Sequence, residues 1–212
     1  MTVRVKICGI TNPVDAALAA ALGADWIGLN FFAKSPRRVD EVTASAIVQE
    51  LPATVEPVAL FVHEPLDAAQ RIAHGVGIRA VQIHTDHREF LPRGARWICA
   101  FPLKDTSSLN AISSYLEWLR SVGDAPAAIL VDAHVPGKFG GTGQVAPWHL
   151  LTDFQPGVPV ILAGGLTPDN VADAIRIVKP YAVDVASGVE SSPGKKDADK
   201  LRRFIDAARN AG

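Results

Sequence analysis

Short strand-like runs alternate with helix-spaced apolar stripes eight times along this chain, and that alternation restricts the possible folds more than any other feature. Strands are expected over Val3–Cys8, Ala24–Asn30, Pro57–Val62, Arg79–His84, Trp97–Phe101, Ala127–Asp132, Val158–Ala163 and Tyr181–Ala186. Helices are expected to follow them over Pro13–Leu22, Thr43–Leu51, Leu66–His74, Asp86–Leu91, Ser107–Ser121, Pro147–Asp153, Asp169–Val178 and Asp197–Arg209. The helical spacing is clearest at Leu109, Ile112, Leu116 and Leu119; the Asp86–Leu91 helix is short and poor. Eight strand–helix units in 212 residues point to an α/β protein, a single-domain (β/α)8 TIM barrel filling 1–212. A doubly wound open sheet competes, and periodicity alone does not separate the two; the count of eight favours closure.

The chain can fill such a core, because 48% of its residues are apolar. A formal net charge of −1 lacks the basic excess of a nucleic-acid or membrane-surface binder. No apolar stretch approaches the ~20 residues of a membrane span, and Arg4 and Lys6 interrupt any secretory h-region. Cys8 and Cys99 make no disulfide framework. A soluble cytoplasmic protein is the expectation.

In a barrel the loops that follow the strands open onto one face, so their residues are read as a group. Cys8 ends the first strand and Asp132 the sixth, placing two proton-handling groups at that face. The second loop, Phe31 to Arg38, sets basic residues beside two phenylalanines, a composition able to hold an aromatic carboxylate through an arginine fork. Taken alone, such a sequence is more often a solvated basic loop. The sixth loop, Asp132 to Gly143, is long and carries four glycines, which suits a mobile cover or a close backbone approach to a ligand, the bland alternative being a floppy connection. Small residues at Ala163-Gly164-Gly165 and Ala186-Ser187-Gly188, after strands seven and eight, let backbone N–H groups converge on an anion. A phosphate-bearing substrate is the expectation.

Cys99, inside an apolar strand, is read as a buried hydrophobe, whereas Cys8 is a candidate nucleophile or base. Lys6 has the parity of Cys8 and sits roughly 6–7 Å below it. It could support a thiolate, pair with a buried carboxylate, or face solvent at the barrel's foot. Asp184, flanked by valines, is either an ion-pair partner or a substrate ligand. His63 and His84 close strands three and four; His84, Asp86 and His87 form no set with structural-zinc spacing, so no metal is expected. No lysine ends strand six or seven, against a Schiff-base aldolase.

Six motifs in order, Lys6-Ile7-Cys8-Gly9-Ile10-Thr11, Ser35-Pro36-Arg37, Val81-Gln82-Ile83-His84, Gly140-Gly141-Thr142-Gly143, Leu162 to Leu166 and Asp184 to Glu190, resemble phosphoribosylanthranilate isomerase. The resemblance runs from Lys6 to Asp197. It implies a (β/α)8 barrel catalysing the Amadori rearrangement of N-(5′-phosphoribosyl)anthranilate in tryptophan biosynthesis, without metal or cofactor. Its partner would be a small phosphorylated aminosugar, not nucleic acid or membrane; a monomer is expected, with a dimer left open. By position, Cys8 matches the family's general base, Asp132 its general acid, and Arg37 the arginine on the anthranilate carboxylate. Gly164, Gly165, Ser187 and Gly188 match the phosphate cradle, and His84 and Asp184 match positions lining the site. Thr85 departs from the glycine that the family commonly has there.

The residues fit that chemistry. A protonated Asp132 would supply the ring oxygen with a proton, which burial or substrate charge would favour, and a Cys8 thiolate would take the C2′ proton. The analogous isomerase of histidine biosynthesis would put aspartate at position 8 and a second phosphate cradle in the first half; neither is found. A catalytically silent sugar-phosphate-binding barrel would leave Cys8 and Asp132 in separate places.

Overall fold

Eight parallel strands close on themselves in sequence order in a computed structural model that describes residues 2–84, 96–133 and 147–211. They are β1 Arg4–Cys8, β2 Trp26–Asn30, β3 Glu56–Val62, β4 Ala80–His84, β5 Arg96–Pro102, β6 Ala128–Asp132, β7 Val160–Ala163 and β8 Ala182–Val185. β1 pairs with both β2 and β8, with Cys8 opposite Gly28 and Lys6 opposite Asp184. An open sheet would leave two unpaired edges, so the doubly wound alternative is excluded.

Strand side chains alternate between two environments, because successive residues point to opposite faces. Val5, Ile7, Ile27, Val81, Ile129 and Val183 join the larger apolar cluster, between barrel and helices. Trp26, Ala80, Ala128, Leu130 and Ala182 belong to a second cluster, inside the barrel. The parity that sends these second residues inward also sends in Lys6, Cys8, Gly28, Gln82, His84, Asp132 and Asp184. The interior is therefore apolar at its foot and ionisable towards the C-terminal ends of the strands.

Helices cover the outside: α1 Pro13–Ala21, α2 Glu41–Glu50, α3 Leu66–Gly75, α4 Thr106–Ser121, α5 Val171–Val178 and α6 Ala198–Arg209. Their starts follow local chemistry. Pro13 takes the first turn, where no N–H is needed, and Asn12 accepts from the Asp15 N–H. Asp40 and Asp197 cap α2 and α6, and Asp105 with Ser108 forms a capping box on α4.

The helix expected over Pro147–Asp153 is instead a 3₁₀ turn, Trp148–Leu151. A segment this short cannot repay the nucleation of an α-helix, and it closes through i to i+3 bonds such as Leu150 N–H to Pro147 O at 3.0 Å. The expected Asp86–Leu91 helix, residues Thr85, Asp86 and His87, and the glycines of the sixth loop lie outside the described residues. A hairpin that the periodicity did not suggest follows β8: β9 Glu190–Ser192 and β10 Lys195–Lys196, turning at Pro193-Gly194. It docks on the opening of α1, where Thr11 Oγ1 donates to Gly194 O at 2.6 Å and Lys196 N–H to Asp15 Oδ2 at 2.9 Å. No helix among the described residues is long and apolar enough to cross a membrane.

Candidate active site

The C-terminal mouth collects the side chains that end the strands. Cys8 closes β1 and Asp132 closes β6, both on the inner face and three strands apart around the ring through β8 and β7. Cys8 is 7% exposed and Asp132 half-buried. The two groups thus lie at the same end of the barrel, on its inner face.

Beneath Cys8, the Lys6 ammonium is fully buried and donates to Asp184 Oδ1 at 2.8 Å. Of the three possibilities for Lys6, solvent exposure is excluded and pairing with a buried carboxylate is realised; its positive charge also acts on the Cys8 thiol above it. Burial pulls the Lys6 pKa down, but the neighbouring Asp184 and Cys8 more than offset this and hold it above its ordinary value. For Cys8, burial pushes the pKa up, Lys6 pulls it down, Asp184 pushes it up and Lys196 pulls it down; the result lies above the ordinary thiol value. Room for this cluster comes from Gly28: a methyl group there would lie 2.7 Å from the Cys8 sulfur and 3.0 Å from Lys6 Nζ. Cys99 is buried as expected, its thiol pushed up to about 12 by desolvation.

His84 ends β4, and its Nε2 is 2.7 Å from Nε2 of the buried Gln82.

In the second loop, Lys34 and Arg38 are exposed and Phe31 stacks on Phe61 in the core, with ring centroids 5.1 Å apart. Arg37 alone of the three basic residues turns towards the mouth. Its chain passes over Gly9, whose φ of +71° and lack of Cβ admit it, since a Cβ there would lie 2.5 Å from Arg37 Cδ. Arg37 Nε and Nη2 donate to the two oxygens of Glu190 at 2.8 and 2.6 Å. Glu190 also accepts from Lys196 Nζ at 2.9 Å, and Lys196 donates to Cys8 O at 2.7 Å and Ala186 O at 3.1 Å.

After β7, Gly164 and Gly165 take φ of +92° and +65°, and the space beside Gly165 is open. After β8, Ser187–Val189 forms a 3₁₀ turn whose Gly188 presses on the seventh loop: a Cβ there would fall 1.9 Å from Leu166 O. The two small-residue turns therefore touch, with Gly165 and Ser187 exposed beside them.

Gly28, Gln82 and Lys196 were missed by sequence reasoning, and Glu190 had no role in it. Gly28 lies inside a strand run and Lys196 stands beside Lys195, with nothing in either residue's immediate neighbours to single it out. The available signal for Lys196 was the Pro193-Gly194 turn, which folds the chain back towards the mouth. Among the described residues no group of His, Cys, Asp and Glu has the arrangement of a metal site.

A closed (β/α)8 barrel with thiol, carboxyl and cationic side chains at its C-terminal mouth has the architecture of the barrel enzymes. Comparisons with known proteins give the family. Residues 5–207 match the family model described as N-(5′-phosphoribosyl)anthranilate (PRA) isomerase. An N-(5′-phosphoribosyl)anthranilate isomerase of Geotalea uraniireducens is 45% identical over 208 residues, 97% of this chain and 98% of that one. The phosphoribosyl anthranilate isomerase of Thermotoga maritima superposes with a TM-score of 0.86 at 36% identity, covering 98% of this chain and 99% of that one. A phosphoribosyl anthranilate isomerase in complex with reduced 1-(o-carboxyphenylamino)-1-deoxyribulose 5-phosphate superposes at 0.82 and 34% identity over the same shares. The chain belongs to the N-(5′-phosphoribosyl)anthranilate isomerase family.

Proposed function

We propose that this enzyme converts N-(5′-phosphoribosyl)anthranilate into 1-(2-carboxyphenylamino)-1-deoxyribulose 5-phosphate, the Amadori step of tryptophan biosynthesis, with Asp132 as general acid and Cys8 as general base. Asp132 gives its proton to the furanose oxygen as the C1′–O bond breaks, and the anilino nitrogen's lone pair forms the C1′=N bond of a protonated Schiff base. That cation acidifies the C2′–H, which the Cys8 thiolate removes to leave an enolamine. The enolamine becomes the ketone by losing its O2′ proton and gaining one at C1′. Each proton transfer is worth about 10²–10⁴-fold in rate.

The observation that carries this reading is the placement of Cys8 and Asp132 on the inner face of one rim, in a chain of this family. The roles of the remaining residues follow from their chemistry. Lys6 and Lys196 supply the positive charge that favours the thiolate over the thiol, against the cost of burial. Arg37 binds the anthranilate carboxylate, His84 and Asp184 line the sugar, and Gly164, Gly165, Ser187 and Gly188 receive the phosphate. The purified protein is expected to abolish the fluorescence of N-(5′-phosphoribosyl)anthranilate with formation of the deoxyribulose product; unchanged fluorescence would refute the reading.

A further inference from the structure

An arginine that binds substrate is ordinarily free to adopt many rotamers, but Arg37 is fixed along its whole length. Its N–H donates to Ser35 Oγ at 3.1 Å, its methylenes lie on Gly9, and its Nε–Nη2 edge is taken by Glu190. On the other edge, Nη1 and the second N–H of Nη2 have no hydrogen-bond partner among the described residues. A guanidinium can hold one carboxylate on each of these edges.

Glu190 is itself buried, its side chain 4% exposed, and one of its oxygens is shared between Arg37 Nε and Lys196 Nζ. The Lys196 side chain is fully buried, and its three donor bonds go to Glu190, to Cys8 O and to Ala186 O. Two cations share a single carboxylate, so the cluster keeps one positive charge in excess. The guanidinium is thereby tied, through two side chains, to the backbone of Cys8.

We propose that Glu190 and Lys196 are positioning residues that aim the free edge of Arg37 at the aromatic carboxylate of the substrate, with Lys196 setting that aim relative to Cys8. This rests on the isomerase reading and on the role given there to Arg37. The geometry serves two ends at once. Pre-fixing the fork avoids the loss of rotamer freedom on binding, and the excess positive charge is what an incoming carboxylate neutralises. A purely structural tie between hairpin and barrel would need neither a bidentate arginine nor its vacant second edge.

The test measures binding of two ligands by calorimetry: reduced 1-(o-carboxyphenylamino)-1-deoxyribulose 5-phosphate, and its counterpart lacking the ring carboxylate. Glu190→Gln and Lys196→Met are expected to weaken the first by about 10–100-fold, as loss of an orienting partner does elsewhere, and the second by less than about threefold. In an Arg37→Ala background the Glu190→Gln change should cost nothing further. Glu190→Asp keeps the buried charge, and with it the fold, but shortens the reach by one methylene; it should show the same selective loss. Equal weakening of both ligands, or a full additional loss in the Arg37→Ala background, would overturn the proposal. Wild-type protein that binds neither ligand would instead refute the isomerase reading itself.

Discussion

Gly28→Ala is a small substitution with a large expected effect. The added methyl group would sit 2.7 Å from the Cys8 sulfur, 3.0 Å from Cys8 Cα and 3.0 Å from Lys6 Nζ. Favourable contact between such atoms needs roughly 3.5–4.0 Å, so the thiol must retreat by about 1 Å. Rotation about χ1 relieves the sulfur but not the backbone Cα, so β1 must also shift against β2. A misplacement of that size costs about 100-fold in turnover, and overpacking a filled interior costs about 1–3 kcal/mol. For a chain of this length, each kcal/mol lowers Tm by roughly 2–4 °C. The variant should therefore show kcat lower by about two orders of magnitude in the fluorescence assay and a melting point lower by several degrees. Removing the sulfur with Cys8→Ala should make the same glycine substitution less destabilising, a non-additivity that calorimetry reads directly. A Gly28→Ala enzyme with kcat within about threefold of wild type and an unchanged Tm would refute the packing account of the Cys8 site.

Two further outcomes follow from the charges. Lys6 opposes the burial that raises the Cys8 pKa, so Lys6→Met should move the ascending limb of kcat/KM to higher pH; a limb that stays in place would remove Lys6 as the thiolate's counter-charge. Glu190 is pushed up by burial but pulled down further by Arg37 and Lys196, so its folded pKa lies below its ordinary value. Its contribution to stability is thus complete above the unfolded pKa, about 4.3, and is lost as pH falls through the folded value. Urea unfolding between about pH 5 and pH 3 should be less pH-dependent in Glu190→Gln than in wild type, and parallel profiles would contradict this.

The parts of this molecule that were legible in the sequence are those set by neighbours along the chain. The ends of the strand-like runs put Cys8, His84 and Asp132 at the mouth, and Pro13 and Asp197 stood at the starts of expected helices. What stayed hidden depends on contacts across the barrel. Lys6 and Asp184 are 178 positions apart, and only closure of β1 on β8 makes one answer the other's burial. Glu190 meets Arg37 across 153 positions, and Lys196 reaches the Cys8 carbonyl across 188. A charged residue destined for such a pair has no local pattern distinguishing it from a surface charge. The Trp148–Leu151 turn was misread for a different reason: four residues suit one turn of either helix type, and periodicity cannot choose between them.

The most direct test of the acid–base assignment is kcat for Cys8→Ala and Asp132→Ala, measured with each variant shown to be folded by circular dichroism. Each should fall by about 10²–10⁴-fold while the reduced product analogue still binds. Turnover within about threefold of wild type in either variant would contradict the role given to that residue.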